Sequence, residues 1–274
     1  MKISVANNET YVYTGGKTAE AGQPAIVFIH GAQQDHSCWV PQSRWFAHHG
    51  YAVLTPDLPG HGRSAGAPLP SVEALADWVI ALLDAAGHLQ VTLVGHSLGS
   101  LVALAAAARH PQRVSRLALV GTSAPMPVSD ALLDAARNDE NKAFNMVNRW
   151  SHSQRGLMGG NAAPGMWMLG MNLRLMERQK PGTIFNDLAA SNAYLSGMEA
   201  ARAVRCPVLI VAGSRDLMTP ARNGLALAKV LSEHLADVRV VTLPGVGHAF
   251  MAEEPNLLLD ALIDFAGGVA GQLQ

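Results

Sequence analysis

Cysteine is scarce in this 274-residue sequence, which contains only Cys38 and Cys206. Two cysteines cannot build a disulfide framework, so we expect both to be reduced thiols in or near buried elements. Charged residues are also few, at 15% of the chain, whereas hydrophobic residues make up 49%. This composition is typical of a globular chain with a large core and excludes an intrinsically disordered protein.

The chain has no strongly basic region, because 20 lysines and arginines stand against 21 acidic residues, for a net charge of -1. A nucleic-acid partner is therefore disfavoured. No apolar run is long enough for a membrane span, and the first residues lack the charged, apolar and small-residue pattern of a secretion signal. We expect a cytoplasmic protein without a membrane span; the composition leaves the number of subunits open.

Patterns for metals and nucleotide cofactors are also missing. The 11 histidines show no H-E-x-x-H arrangement, and the cysteines form no cluster. Gly60, Gly62 and Gly66 lack the strand-to-helix setting of a dinucleotide fingerprint. We therefore predict that the protein needs no metal and no cofactor.

Short β-branched apolar segments alternate with helix-like segments along most of the chain. After a hairpin over residues 3–13 that turns at Asn7-Asn8, the pattern predicts strands near Ile26, Val53, Leu93, Leu117, Leu209 and Val240. Helices are predicted over residues 72–86, 98–110 and 256–265. Such alternation favours an α/β fold, with a mostly parallel sheet and helices on both faces.

The alternation stops after residue 122 and resumes only after residue 202. No strand is predicted in between, and helices are expected after Ser129, over residues 167–176 and after Pro181. We interpret residues 123–202 as an inserted helical cap. The α/β core then consists of residues 1–122 and 203–274.

Ser97 lies between two glycines in the segment Gly95-His96-Ser97-Leu98-Gly99. Residues 91–94 predict a buried strand and the residues after Ser97 a buried helix, so the serine sits in a tight and strained turn. The strain lifts its hydroxyl off the sheet and places the Leu98 amide at a helix N-terminus, where it can donate to an anion. This pattern is a nucleophile elbow.

A serine hydroxyl is a weak nucleophile, so it needs a histidine base and a carboxylate that orients the base. Asp216 follows the predicted strand over residues 208–213, and His248 lies in a glycine-rich loop after the strand over residues 238–243. Both come just past the C-terminal ends of strands, where sites on open α/β sheets form. The alternative is that Asp216 only caps the helix near Pro220 and that His248 is solvated.

An acyl-transfer site also needs a second backbone donor for the oxyanion. The strand near Ile26 runs into His30-Gly31-Ala32, a His-Gly sequence of the kind that supplies such an N–H. We predict that the amides of Ala32 and Leu98 form the oxyanion hole. For His30 we expect a structural role, in which its ring hydrogen-bonds to loop backbone.

Together these segments resemble the α/β-hydrolase superfamily, in particular its small serine esterases and lactonases. The motifs that carry the resemblance are His30-Gly31, the stretch over residues 57–64, the Ser97 elbow, residues 213–216 and Gly247-His248. The resemblance implies Ser97, Asp216 and His248 as the catalytic triad. It also implies cleavage of an ester or lactone of a small, largely apolar substrate through an acyl-enzyme.

Methionine is concentrated in the predicted cap, which holds Met126, Met146, Met158, Met166, Met168, Met171, Met176 and Met198. Methionine side chains are flexible and adapt to apolar ligands. Trp167, Met168 and Met171 share one helical face, so we predict that they line an apolar substrate pocket. The alternative is that they only fasten the cap to the core.

Other functions stay open at this point. One is a C–C bond hydrolase or a cofactor-free peroxidase-like relative, in which Arg174 and Arg178 bind a substrate carboxylate. Another is a lyase of the hydroxynitrile type, which uses the triad as acid and base without an acyl-enzyme. A third is a non-catalytic ligand-binding protein, which ester turnover would exclude.

Overall fold

The computed structural model describes residues 1–160 and 165–267, so residues 268–274 of the predicted core lie outside it. In the described part, eight strands form one sheet: β1 (Lys2–Val5), β2 (Asn8–Tyr13), β3 (Ala25–Ile29), β4 (Ala52–Pro56), β5 (Val91–His96), β6 (Val114–Val120), β7 (Val208–Gly213) and β8 (Val238–Leu243). Their spatial order is β1-β2-β4-β3-β5-β6-β7-β8.

Six of these strands run parallel, as the alternation predicts. Strands β1 and β2 form an antiparallel hairpin, and β2 pairs antiparallel with β4, whereas all pairings from β4 to β8 are parallel. The hairpin turns at Ala6 and Asn7, whose φ angles are 47° and 65°. The predicted turn at Asn7-Asn8 is therefore one residue late, because Asn8 already pairs with Val5.

The described residues form twelve α-helices: α1 (Val40–His48), α2 (Val72–Ala86), α3 (Leu98–Arg109), α4 (Asp130–Asn138), α5 (Glu140–Ser151), α6 (Gln154–Leu157), α7 (Met168–Glu177), α8 (Thr183–Ala193), α9 (Gly197–Ala203), α10 (Ala221–Ser232), α11 (Phe250–Glu253) and α12 (Pro255–Ala266). Helix α2 has the predicted bounds, because Ser71 caps its first turn and Gly87 takes a left-handed conformation at its end.

Apolar residues on both sides of the sheet produce two cores. In β3, Val27 and Ile29 pack into one apolar cluster together with residues of α2 and α3. Ile26 and Phe28 point the other way and pack with residues of α1 and α12. Because side chains alternate along a strand, one short apolar segment supplies both layers.

Helices α4 to α9 lie between β6 and β7, where the sequence predicts the cap. Helices α4, α5, α7 and α8 share an apolar cluster of their own, which includes Leu132, Phe144 and Ile184. Helix α9 instead contacts α3 and α10 on a face of the sheet, and the predicted boundary at residue 202 falls inside it. None of the helices in the described ranges combines the length and the apolar character that crossing a bilayer requires.

Candidate active site

Ser97 forms the sharp turn between β5 and α3 that its glycine neighbours predict. Its φ and ψ angles are 54° and -121°, a conformation that residues with a side chain rarely adopt. A Cβ atom on Gly95 would lie 2.1 Å from the Gly99 carbonyl oxygen, and one on Gly99 would lie 2.4 Å from that of Ile29. Only glycine fits at both positions, so these two residues permit the turn.

His248 and Asp216 are brought together by the loops after β8 and β7. The Nδ1 atom of His248 lies 2.8 Å from Oδ2 of Asp216, and both side chains are buried. The carboxylate therefore holds the ring in the tautomer that leaves Nε2 unprotonated. Nε2 is buried and has no hydrogen-bond partner within the described residues.

Asp216 also organises its own turn. Its Oδ1 atom accepts hydrogen bonds from the backbone N–H groups of Met218 and Thr219, each at 2.8 Å, and its Oδ2 accepts one from the Thr219 hydroxyl at 2.7 Å. Burial acts to raise the pKa of Asp216, but His248 and these hydrogen bonds outweigh it and hold the pKa below 3.8. The Asp216 carboxylate thus both caps the turn that follows β7 and contacts His248.

Two further buried histidines lie around this site. His96 donates from Nε2 to the His248 carbonyl oxygen at 2.9 Å, and burial together with nearby His248 lowers its pKa to about 3. His30 donates from Nδ1 to the Gly31 carbonyl and accepts from the Leu58 amide at Nε2. Burial and nearby His61 lower the pKa of His30 to about 4. Both rings stay neutral and fix loop backbone, which confirms the structural role expected for His30.

Ser97 and His248 line one cavity of about 380 Å³ beneath the inserted helices. Its apolar lining comes mainly from α4, α5, α8 and the segment that precedes α4: Met126, Pro127, Val128, Leu132, Val147, Trp150, Ile184 and Leu188. No Asp, Glu, Lys or Arg of the described ranges lines it. We call this space the serine cavity; its surface suits an uncharged, apolar group.

The three residues predicted to line this pocket lie elsewhere. Trp167, Met168 and Met171 border a different cavity of about 760 Å³, between α7 and the core. Trp167 is 70% exposed and Met171 50% exposed, whereas Met168 is buried. No described residue of α7 lines the serine cavity, whose lining from the inserted helices comes from α4, α5 and α8. The sequence pattern identified the helix but not its position over the sheet.

The two residues predicted to donate to the oxyanion, Ala32 and Leu98, both lie near Ser97. Leu98 is the first residue of α3, and Ala32 lines the serine cavity. Neither amide N–H donates to an acceptor in the part of the chain that the structure describes. Both are therefore available to a ligand oxygen.

Sequence patterns missed the contacts that hold the Ala32 loop. Asp187 on α8 accepts hydrogen bonds at Oδ2 from the Gln33 amide and from Nε2 of His61, each at 2.8 Å. All three residues are buried. Burial acts to lower the pKa of His61, but Asp187 outweighs it and raises the pKa. Asp187 thus joins α8 to two loops: the hydrogen bond from Gln33 reaches the loop after β3, and the ion pair with His61 reaches the loop after β4.

A second missed contact joins the inserted helices to the His248 loop. The Ser151 carbonyl at the end of α5 accepts from the backbone N–H of His248 at 2.6 Å. Glu253 of α11 is buried and accepts from the backbone N–H of Ser153 at 2.9 Å and from its hydroxyl at 2.5 Å. A Cβ on Gly247 would lie 2.7 Å from Oε1 of Glu253, from the Ser151 carbonyl oxygen and from the Ser153 amide nitrogen, so only glycine leaves room for these bonds. We call these bonds the Glu253 latch.

Two other buried acidic residues, Asp57 and Asp187, have partners other than His248. Asp57 accepts from the His36 amide and ring and from the Arg63 amide, and Asp187 binds His61 as described. Arg178 pairs with Asp35, and Arg174 pairs with Glu177. Neither arginine lines the serine cavity.

One group of side chains has the composition of a metal site. Atoms of Asp35, His36 and Asp57 lie within 4.8 Å of one another. However, Asp35 already binds Arg178 and Gln179, and Asp57 binds His36 through Nδ1 at 2.7 Å. The carboxylates are satisfied by protein donors, so this cluster fits a structural network better than a cation.

The alpha/beta hydrolase fold family model matches residues 24–255 of this chain. A pimeloyl-[acyl-carrier protein] methyl ester esterase of Chromobacterium violaceum is 30% identical over 247 residues, which cover 86% of this chain and 91% of that protein. The (E)-2-((N-methylformamido)methylene)succinate hydrolase of Acinetobacter baylyi is 24% identical over 233 residues, covering 82% and 84%.

A solved structure, the enol-lactonase from Burkholderia xenovorans LB400, superposes with a TM-score of 0.84 at 23% identity and covers 97% of this chain and 100% of its own. At this level of identity the superposition shows a common fold.

Proposed function

We propose that this chain, which belongs to the alpha/beta hydrolase fold family, is a serine hydrolase that cleaves a carboxylic ester or lactone with an apolar acyl group. One observation carries the proposal. Ser97, on a strained turn between two obligatory glycines, shares the serine cavity with His248, whose ring is held by Asp216.

In the proposed acylation step, Nε2 of His248 takes the proton of the Ser97 hydroxyl as its oxygen attacks the carbonyl carbon. The tetrahedral intermediate then collapses: the bond to the leaving alcohol breaks, and His248 returns the proton to that alcohol. In the second step His248 deprotonates a water molecule, which attacks the acyl carbon. The ester bond to Ser97 breaks, the carboxylic acid product leaves, and His248 returns the proton to the Ser97 oxygen. Asp216 stabilises the imidazolium in both steps, since its carboxylate lies 2.8 Å from Nδ1.

The amides of Ala32 and Leu98 are the proposed oxyanion hole. Their N–H groups have no acceptor among the described residues; Leu98 directly follows Ser97, and Ala32 lines the serine cavity. Each such donor typically lowers the barrier by roughly 3 to 4 kcal/mol. Asp187 supports the first donor, because it binds the amide of Gln33, the next residue in the chain.

The serine cavity favours an uncharged acyl group. Its described lining contains no cationic side chain, which a dicarboxylate substrate would require. A C–C bond hydrolase that binds a substrate carboxylate inside this cavity is therefore less well supported, as is a succinate of the kind in the name of the Acinetobacter relative. Arg174 and Arg178, the candidate carboxylate ligands for that function, border the cavity beside α7 instead.

We also propose that the inserted helices act as a cap over Ser97. Residues of α4, α5 and α8 line the serine cavity, as a lid over a hydrolase site does. Helix α9 packs on the core, so we place the end of the cap before Gly197 and not at residue 202.

A fluorophosphonate probe tests the proposed nucleophile. The intact protein should gain the mass of one adduct, and peptide mapping should place that adduct on Ser97. The Ser97→Ala variant should gain none and should lose turnover of p-nitrophenyl hexanoate. Labelling that survives in Ser97→Ala would assign the nucleophile elsewhere. An acyl-enzyme trapped during turnover would also exclude the lyase mechanism, which forms none.

A further inference from the structure

A second pocket, of about 670 Å³, opens beside the serine cavity. Three arginines line it, Arg149 at the end of α5, Arg155 on α6 and Arg215 in the loop that carries Asp216. We call it the arginine pocket. The serine cavity has no Asp, Glu, Lys or Arg in its described lining, so the two adjoining spaces differ in charge.

The arginine pocket carries surplus positive charge. Arg155 pairs with Glu254 at 3.1 Å, but Arg149 and Arg215 have no ion pair within residues 1–160 and 165–267. No acidic residue of those ranges lines the pocket. The chain as a whole has a net charge of -1, so this concentration of cations is local. Guanidinium groups in a concave site suit carboxylates and phosphates, which they bind through paired hydrogen bonds.

The two spaces share a wall. Trp150 and Leu217 line both the serine cavity and the arginine pocket. Leu217 is 69% exposed and directly follows Asp216, so this wall stands at the outer edge of the site. A substrate with its acyl group in the serine cavity would extend its alcohol part past these side chains toward Arg149 and Arg215.

We infer that the arginine pocket binds an anionic group on the alcohol part of the ester. This inference rests on the proposed ester hydrolysis. The substrate class is then an ester with an apolar acyl group and an alcohol that carries a carboxylate or a phosphate. Arg149 and Arg215 are specificity-determining residues in this arrangement, and they take no part in the chemistry at Ser97.

Hydrolysis of matched hexanoyl esters tests the inference. The alcohol parts are 3-hydroxypropyl phosphate and 4-hydroxybutyrate, with butanol as the neutral control and choline as the cationic control. We expect kcat/KM for the anionic esters to exceed that for butyl hexanoate by about tenfold, since two exposed ion pairs give an effect of this order. The choline ester should be the poorest substrate. Comparison of kcat/KM between the phosphate ester and the carboxylate ester shows which anion the pocket prefers.

The double variant Arg149→Gln, Arg215→Gln should bring the ratio between anionic and neutral esters to about one, because it removes both unpaired cations. Arg44→Gln on α1 is the matched control, because Arg44 lines none of the three cavities. It should keep the ratio of the wild type. Raising the salt concentration should lower the ratio in the wild type and leave the double variant unchanged.

Equal kcat/KM for anionic and neutral esters in the wild type would overturn the inference while leaving ester hydrolysis intact. A preference that survives in the double variant would overturn it as well. If no ester is cleaved, the proposed function fails. Calorimetric titration with hexyl phosphate and hexanol then shows, without any reaction, whether the arginine pocket binds an anion. Tighter binding of hexyl phosphate that is lost in the double variant supports an anion site; equal binding refutes it.

Discussion

Asp216 uses its two carboxylate oxygens for different contacts. Oδ1 accepts the amides of the turn after β7, and Oδ2 receives Nδ1 of His248 and the Thr219 hydroxyl. The sequence suggested capping and orientation of His248 as alternatives, but in the structure one carboxylate contacts both the turn and His248. The turn fixes the carboxylate, so the histidine meets an acceptor that is already in position.

Replacing Asp216 with Asn separates these two contacts. Asn keeps an oxygen for the turn amides, but its NH₂ group would face Nδ1 and favour the wrong imidazole tautomer. We expect kcat to fall by about 10⁴-fold, with an unchanged far-UV circular dichroism spectrum. Steady-state kinetics with p-nitrophenyl hexanoate measures the loss.

Asp237→Asn is the matched control, because the Asp237 side chain is 43% exposed and pairs only with Arg239 within the described chain. It should retain wild-type kcat. Near-normal turnover in Asp216→Asn would mean that another carboxylate orients the base.

At the scale of elements, the Glu253 latch connects the cap to the loop that carries His248. Glu253 on α11 binds Ser153, and the Ser151 carbonyl receives the His248 amide. The bonded residues are about a hundred positions apart in sequence, so the latch exists only in the folded molecule. We therefore expect the position of the base to depend on the end of α5.

Glu253→Gln tests this dependence. The amide retains one acceptor oxygen where the carboxylate offers two, so the segment that ends α5 should shift and move His248. We expect kcat to fall about tenfold, since small displacements of a catalytic group have effects of this order or larger. KM should change less than kcat, because most of the lining of the serine cavity lies outside the end of α5. The exposed Glu233→Gln variant is the control. Equal kcat in the two variants would contradict a positioning role.

The placement of α5 over Ser97 predicts selectivity for chain length. Each methylene buried in the serine cavity should add up to about 0.8 kcal/mol of binding, so kcat/KM should rise from acetyl to medium-chain esters until the cavity is full. Val147→Phe narrows the cavity and should shift the optimum to shorter chains. A series of p-nitrophenyl esters measures both trends.

Trp167→Ala should leave this optimum unchanged, because Trp167 borders the cavity beside α7. An altered optimum in Trp167→Ala, or a flat profile from acetyl to hexanoyl in the wild type, would show that the acyl group binds elsewhere.

For the whole molecule, the buried histidines predict sensitivity to acid. His30 and His96 have pKa values lowered to about 4 and about 3, whereas in the unfolded chain both take up a proton near pH 6.5. Between pH 6.5 and 4, each should lower the free energy of unfolding by about 1.4 kcal/mol per pH unit. His61 acts in the opposite direction, since Asp187 raises its pKa.

Urea denaturation at several pH values between 7 and 4.5 measures this slope. His30→Gln should show a smaller loss of stability on acidification than the wild type, because it removes one of the histidines whose pKa is lowered by burial. The exposed His48→Gln variant should keep the wild-type slope. Identical slopes in all three proteins would exclude His30 as a source of the acid sensitivity.

Much of the fold was predictable because its signals are local. Strands such as β3 and β7 are short, apolar and β-branched, and helix α2 carries its own cap residues. The elbow at Ser97 was predictable for the same reason, since Gly95 and Gly99 lie within two residues of it. Asp216 and His248 could be placed because each follows a recognisable strand.

The lining of the serine cavity was not predictable in this way. The spacing of Trp167, Met168 and Met171 indicates an amphipathic helix, but periodicity does not say which neighbour the apolar face meets. In the structure, α5 and α8 cover Ser97, and α7 lies to the side. The positions of these helices depend on packing between segments that are distant in sequence.

The sequence by itself determined the individual strands, the turn at Ser97 and the positions of Asp216 and His248 just after strands, because each of these signals lies within a few residues. Only the tertiary structure decided which side chains surround the serine. It brought Glu253 to Ser153 and Asp187 to Gln33, and it left Arg149 and Arg215 unpaired beside the cavity. These contacts join residues that are distant in the chain, and no local propensity encodes them.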